Sequence, residues 1–192
     1  MRKNKIMVHI SLDGEMQHEN SEDFKYGGWT TPFRSAAGME IVLAAHGRNF
    51  DLLLGRRTYD MWTDYWPKAG DNPMANRLNA ATKYVATHRA DGLQWRPAKS
   101  LGSDIIAGIR NLKATEGPDL VVAGSSTLIT LLLGEGLADE LILIVYPVLL
   151  GRGKRFFSEV ADGLELDFVS SEITPTGVTL NNYRYVGPLQ TS

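Results

Sequence analysis

The sequence predicts an α/β protein: a mixed, mostly parallel central sheet flanked by helices on both faces, with an antiparallel hairpin at the C-terminus. Three observations predict it. Short apolar runs alternate along the chain with segments whose apolar residues recur at helical spacing. The runs are nearly continuous rather than alternating, as strands buried on both faces are. The last two runs are joined by Pro175-Thr176-Gly177, a hairpin turn signal.

The elements follow in order. Ile6 to Leu12 reads as a buried first strand, stopped by the turn pair Asp13-Gly14. Residues 15–33 are polar and Gly-containing, with Tyr26, Trp29 and Phe33, and read as a long loop of the kind that carries function. Arg34 to Asn49 has helical spacing, with Gly47 as its stop. Asp51 to Leu54 is a short strand broken by Gly55, and a helix starts at Arg56. Residues 63–73 read as loop, Met74 to Ala81 as a short helix and Lys83 to Thr87 as a third strand. Asp104 to Ala114 is an amphipathic helix, and Asp119 to Ala123 is another buried strand. Gly124-Ser125-Ser126-Thr127 opens a helix over Leu128 to Leu133, and Glu140 to Leu149 is a strong strand. Leu164 to Ile173 and Val178 to Val186 form the hairpin. No linker interrupts the pattern, so residues 1–192 read as one domain.

Composition narrows the function classes. The chain has 192 residues, enough to bury about 70% of its unfolded surface. At 43% hydrophobic and 22% charged it is an ordinary globular composition. A net charge of −2 supplies no global field for nucleic acid or an anionic membrane. Without cysteine there is no disulfide, thiolate nucleophile or Cys-ligated zinc. The basic start, Met1 to Lys5, precedes a run too short for a signal core, and the longest apolar stretch, Leu141 to Leu150, contains Pro147. The expectation is a bacterial, cytoplasmic protein. His9 and His46 form no metal-ligand spacing, so no metal is expected.

Two strand-to-helix junctions are suited to anions: Leu53-Leu54-Gly55-Arg56-Arg57-Thr58 and Val122-Ala123-Gly124-Ser125-Ser126-Thr127-Leu128. Free N–H groups and the positive end of a helix dipole attract phosphate, glycine allows close approach, and arginine adds charge-assisted donors. Each junction alone reads more readily as a plain turn with an N-cap. Neither is a Walker loop or a Gly-x-Gly-x-x-Gly fingerprint.

Five fragments in order carry a resemblance. They are Ile10-Ser11-Leu12-Asp13-Gly14, Leu53 to Tyr59, Val122-Ala123-Gly124-Ser125, Gly136 to Leu141, and Pro147 to Phe157. Together they resemble the dihydrofolate reductase-like family that includes the C-terminal reductase domain of the riboflavin-biosynthesis deaminase-reductase. The resemblance implies a dihydrofolate reductase-like three-layer sandwich and NADPH as cofactor. It implies that Gly55, Arg56, Arg57 and Thr58 lie at the cofactor diphosphate, with Gly124, Ser125, Ser126, Thr127 and Leu128 cradling it from the other junction. Thr87, His88 and Arg89 would meet the adenosine 2′-phosphate, with Arg89 discriminating NADPH from NADH. The turn from Ser11 through Asp13 to Gly14 would lie by nicotinamide and substrate. Gly124-Ser125 replaces the Gly-Gly pair of dihydrofolate reductases proper, and no zinc deaminase motif is present, so a stand-alone reductase is implied.

Substrate residues are less defined. Glu40 is the helix carboxylate nearest the position that holds the pterin in dihydrofolate reductases, or else a solvated glutamate. Asp13 is an alternative acid or anchor, or else part of an ordinary Asp-Gly turn. Trp29 and Phe33 are candidate pocket walls, while Trp62, Tyr65 and Trp66 read as core or interface. Lys154 and Arg155 suit a substrate phosphate or are solvated turn charges. The strand after Leu141 is apolar for any edge, and the family uses a strand there for self-association, so a homodimer is expected. The implied reaction is hydride transfer to a C=O or C=N carbon of a ribosylamino-pyrimidine phosphate, as in 5-amino-6-(5-phosphoribosylamino)uracil reductase. The rivals are a reductase of the same fold acting on another pterin or small carbonyl compound, and a non-catalytic nucleotide-binding module.

Overall fold

The computed structural model describes residues 1–89, 91–156 and 163–191. Eight strands form one sheet in the order β4-β3-β2-β5-β1-β6-β8-β7. They are β1 (Asn4–Ser11), β2 (Phe50–Gly55), β3 (Lys83–Ala86), β4 (Ala98–Ser100), β5 (Asp119–Ala123), β6 (Glu140–Tyr146), β7 (Leu164–Ile173) and β8 (Thr179–Pro188). The helices are α1 (Ala36–His46), α2 (Arg56–Tyr65), α3 (Pro73–Ala80), α4 (Ile105–Ala114) and α5 (Ser126–Gly134). The chain divides into two compact units. The first holds Met1–Ile6 and His46–Asp139, the second Met7–Ala45 and Glu140–Ser192.

The first unit is the parallel part. β2 pairs in parallel with β3 and β5, and β3 with β4. Every residue of β2 is buried, as its continuous apolar run requires. Helices α3 and α4 start on side-chain caps: Asn72 Oδ1 accepts from Ala75 N at 2.9 Å and Asp104 Oδ1 from Ala107 N at 2.9 Å. Strand β4 has no counterpart among the predicted elements, because three residues with a central lysine carry no periodic signal. The stretch 63–73 is not all loop. Helix α2 runs to Tyr65 and a 3-10 turn continues over Trp66–Lys68.

Charge is buried in this unit. Arg2 is 3% exposed, forms an ion pair with Asp51, and lies 5.3 Å from the Tyr84 ring centroid. Asp51 Oδ1 also accepts from Thr82 N at 3.0 Å. Lys113 pairs with Asp139, which accepts from Asn4 N at 2.7 Å. Lys83 is wholly buried, with Nζ donating to Asn79 O at 2.6 Å and lying 4.2 Å from the Trp95 ring centroid.

The second unit is antiparallel. β6 pairs with β8 from Glu140↔Arg184 to Val145↔Thr179, and β8 pairs with β7. The hairpin closes at Thr174, whose N–H donates to Val178 O at 2.9 Å. The apolar run predicts a strand as far as Leu149 and an edge position for it. Both expectations are corrected: β6 ends at Tyr146, before Pro147, and lies between β1 and β8. Its apolar composition is therefore that of an interior strand. The edge is β7, exposed along most of its length, with register shifts at Glu165/Leu166 and Phe168/Ser170.

Candidate functional site

In the first unit the two glycine junctions interlock. Gly55 closes β2 and is the N-cap of α2, with φ −71° and no side-chain cap. The first-turn N–H groups of α2 thus lack a capping side chain. A Cβ on Gly55 would lie 2.5 Å from Ser125 Oγ and 2.7 Å from Ser125 Cβ. Reciprocally, Gly124 has φ +71°, and a Cβ there would lie 3.3 Å from Thr58 Oγ1. Ser125 itself adopts φ 63°, a conformation that costs a residue with a Cβ about 1–2 kcal/mol. Its Oγ accepts from Leu128 N at 3.4 Å, capping α5. Such strain is held only where the surroundings over-determine it, and it concentrates at ligand sites. Thr58 is buried beneath Gly124, Leu128 is a core side chain, and Ser126 is half-buried while Thr127 is exposed.

Beside these junctions sits the basic turn. Thr87 is buried, and its Oγ1 accepts from Arg89 N at 3.0 Å while donating to Arg89 O at 3.1 Å. His88 and Arg89 are exposed. Arg56 reaches the same segment. Its Nε donates to Asp60 Oδ1 at 2.8 Å and Oδ2 at 3.0 Å, and its Nη1 to the carbonyls of Arg89 and Asp91, each at 3.0 Å. Arg57 is exposed on the first turn of α2.

In the second unit the Ser-Leu-Asp-Gly turn is tied to the segment after β6. Ser11 is fully buried, and its Oγ donates to Asp13 Oδ1 at 2.6 Å and accepts from Glu15 N at 2.9 Å. Asp13 Oδ1 accepts from Leu150 N at 3.1 Å and Oδ2 from Gly151 N at 2.7 Å. Desolvation alone would raise the Asp13 pKa. The hydrogen bonds from Ser11, Gly151 and Leu150 outweigh it and hold the carboxyl down at about 2. At neutral pH Asp13 is therefore an anion that joins two loops, not a proton donor. Gly14 follows with φ +85°, and its carbonyl accepts from Phe156 N at 2.8 Å. Arg155 is not a free turn charge: its Nε pairs at 3.1 Å with Glu15 Oε1, whose side chain is 2% exposed. Lys154 is exposed, and Phe157 lies outside the described residues.

An aromatic group occupies the same unit. Trp29 is buried, donates from Nε1 to Gln17 O at 2.7 Å and stacks on His18 at 5.1 Å and 20°. Trp29 and Phe33 both meet Tyr146 edge-on. The Tyr146 hydroxyl lies 2.7 Å from His9 Nδ1, and burial pushes its pKa up to about 12. Glu40 is exposed on α1. Sequence reasoning does not single out Tyr146, His9 and His18 as members of this aromatic group. The available signal is Tyr146, a polar-tipped aromatic closing an otherwise aliphatic strand just before Pro147.

The family model for the RibD C-terminal domain matches residues 5–180, most of the chain and parts of both units. The chain belongs to the RibD C-terminal domain family. Among curated relatives of this RibD C-terminal domain chain, YyaP of Bacillus subtilis (strain 168) is 30% identical over 140 residues, covering 71% of this chain and 74% of YyaP. A protein provisionally assigned to riboflavin biosynthesis in Shewanella sp. PV-4 superposes with a TM-score of 0.74 at 22% identity, over 96% of this chain and 99% of that one. A dihydrofolate reductase from Enterococcus faecalis, solved with NADP(H), gives 0.62 at 15% identity, over 95% and 96%. The dihydrofolate reductase-like fold is thereby established, and with it membership of a reductase-like family. No helix among the described residues is long and apolar enough to cross a membrane, and no cluster of three or more potential metal ligands occurs among them.

Proposed function

We propose that this RibD C-terminal domain chain is an NADPH-dependent reductase. The reaction is hydride transfer to a C=O or C=N carbon, of the kind made by 5-amino-6-(5-phosphoribosylamino)uracil reductase. The observation that carries the reading is the interlock of Gly55 with Ser125 and of Gly124 with Thr58, beside a turn presenting Arg89. The uncapped start of α2 at Gly55, the start of α5 at Ser125 and the exposed Arg89 guanidinium are the groups a diphosphate and a third phosphate need. These residues fit the cofactor. The N–H groups from Gly55 to Thr58 and from Gly124 to Thr127 would hold the diphosphate, and His88 and Arg89 the 2′-phosphate. When bound, NADPH supplies the hydride.

The protein's own contributions to the substrate lie in the second unit. In this reading the accessible rings of His18 and Phe33, backed by the buried Trp29 and Tyr146, are what a pyrimidine or pterin would stack on. Ser11, Asp13 and Gly14 supply a hydrogen-bonded turn of the same unit, with Asp13 an ionised anchor. Glu40 is the remaining carboxyl proposed for proton transfer. Titration calorimetry with NADPH and NADH, followed by NADPH oxidation with the ribosylamino-pyrimidine phosphate and with dihydrofolate, tests the reading. Tight NADPH binding with turnover of the pyrimidine supports it. Turnover of dihydrofolate alone moves the substrate assignment. Binding without any turnover favours a nucleotide-binding module.

We also propose a homodimer, placed on β7 rather than on the interior strand β6. Phe168, Val169 and Ile173 of this ten-residue edge strand are 64%, 54% and 71% exposed. A second copy pairing there would remove a long apolar edge from water. Sedimentation of the wild type as a dimer and of Phe168→Glu as a monomer supports this, and a monomeric wild type overturns it.

A further inference from the structure

The NADPH reading leaves open what Arg56 does, and its hydrogen bonds give an answer that the sequence does not. A guanidinium has five donors, and Nε and Nη1 supply three of them. All three are taken by protein: the Asp60 carboxylate and the carbonyls of Arg89 and Asp91. The Asp60 carboxylate also offsets its charge one turn along α2. The Arg56 side chain is 20% exposed, whereas Arg57 beside it is an exposed residue. Its Nη2 sits where a Cβ on Gly92 would come within 3.3 Å, so the fork reaches past Asp91 to the end of the turn.

The turn it reaches is closed on the other side as well. Thr87 Oγ1 holds both the N–H and the carbonyl of Arg89. Arg89 therefore has its backbone fixed from two directions while its side chain stands exposed. A charged side chain on a pinned backbone loses less entropy on meeting a ligand than one on a free loop.

We infer that Arg56 is a positioning residue: it holds the backbone carbonyls of Arg89 and of Asp91 so that Arg89 meets the 2′-phosphate of an adenosine nucleotide, and does not itself bind the anion. The inference rests on the NADPH reading. It departs from the simpler expectation that an arginine at a helix start contacts phosphate directly. The two differ in what Asp60 does. If Arg56 bound phosphate, removing Asp60 would release a cation and tighten the complex. If Arg56 positions the turn, removing Asp60 loosens the fork and weakens it. Lysine cannot replace the fork, because an ammonium is a point charge without its planar geometry.

The test compares 2′,5′-ADP with 5′-AMP by titration calorimetry on the full chain and on Arg56→Ala, Arg56→Lys and Asp60→Ala, with melting curves as a folding control. The expected result is a loss of about 5-fold or more for 2′,5′-ADP in Arg56→Ala, no rescue by Arg56→Lys, and a smaller loss of about 2–5-fold in Asp60→Ala, with 5′-AMP unchanged throughout. Unchanged or tighter 2′,5′-ADP binding in Asp60→Ala overturns the inference while leaving the NADPH reading intact. Equal losses for both nucleotides also overturn it, since a general structural role would affect both. If Arg56→Ala does not fold, Asp60→Ala decides alone. A wild type that binds both probes equally overturns the NADPH reading and the inference with it.

Discussion

Replacing Gly55 with alanine tests the interlock that carries the cofactor reading. The backbone at Gly55, φ −71° and ψ 155°, suits any residue, so the cost is steric and nothing else. The new Cβ would sit 2.5 Å from Ser125 Oγ, about 0.9 Å inside the nearest ordinary contact. Rotating the serine hydroxyl gives no relief, because Ser125 Cβ is itself 2.7 Å away and fixed to the backbone. The β5–α5 junction must therefore move. Overpacking of this kind costs about 1–3 kcal/mol, or roughly 2–12 °C in melting temperature for a chain of this size.

Ser125→Gly should remove the clash at its source. It deletes both offending atoms, relieves φ 63° at a gain of about 1–2 kcal/mol, and loses a cap whose replacement by glycine costs only a few tenths. Alone it is expected to be neutral to mildly stabilising. In its background Gly55→Ala should cost close to nothing, giving a coupling of about 1–3 kcal/mol in a double-mutant cycle read by chemical denaturation. If Gly55→Ala costs as much in the Ser125→Gly background as it does with Ser125 in place, the close approach is not why glycine is needed at 55, and the interlock argument fails.

The other predictions follow from named contacts. Arg89→Ala should weaken NADPH by about 10-fold or more and leave NADH nearly unchanged, by titration calorimetry; equal losses would remove Arg89 from the 2′-phosphate site. Arg2→Met leaves Asp51 buried without its cation and should cost about 3–5 kcal/mol in denaturant, with Arg2→Met/Asp51→Asn recovering part of it; no recovery would mean that packing, not charge, is what Arg2 supplies. Burial pushes Lys83 down from its ordinary 10.5 to about 8, against the opposing charge of Asp51. Between those values the unfolded chain holds a proton that the folded chain has shed, so stability should rise with pH by roughly 2–3 kcal/mol across that window relative to Lys83→Met. Parallel stability curves for the two proteins would show that Lys83 stays charged when folded.

How much is legible in the sequence depends on whether a feature is local. The strands and helices carry their own periodicity, and the helices read as starting at Asp104 and Met74 start one residue away, at Ile105 and Pro73. The glycine junctions are legible for the same reason: a strand, a glycine and a helix start are consecutive residues. What is not legible arises from residues far apart in the chain. Arg2 looks like a solvated basic start, and only the fold brings it against Asp51 and Tyr84. Arg56 looks like a phosphate ligand because its 33-residue reach to Arg89 O has no sequence signature. Strand β6 looks like an edge because an apolar run does not say which strands flank it, and β8 returns to it only after the hairpin.

The same distinction bears on the acid–base question. Asp13 looks equally like an acid or a turn residue, and its three donors come from Ser11 nearby and from Leu150 and Gly151, 137 and 138 positions away. Those distant N–H groups turn it from a titrating carboxyl into a fixed anion. Tyr146 moves the opposite way: burial among Trp29, Phe33 and His9 keeps its phenol protonated well beyond neutral pH. The second unit thus places a permanent anion on the Ser-Leu-Asp-Gly turn and a permanent hydroxyl donor at the end of β6, a division between charge and proton that residue types alone do not reveal.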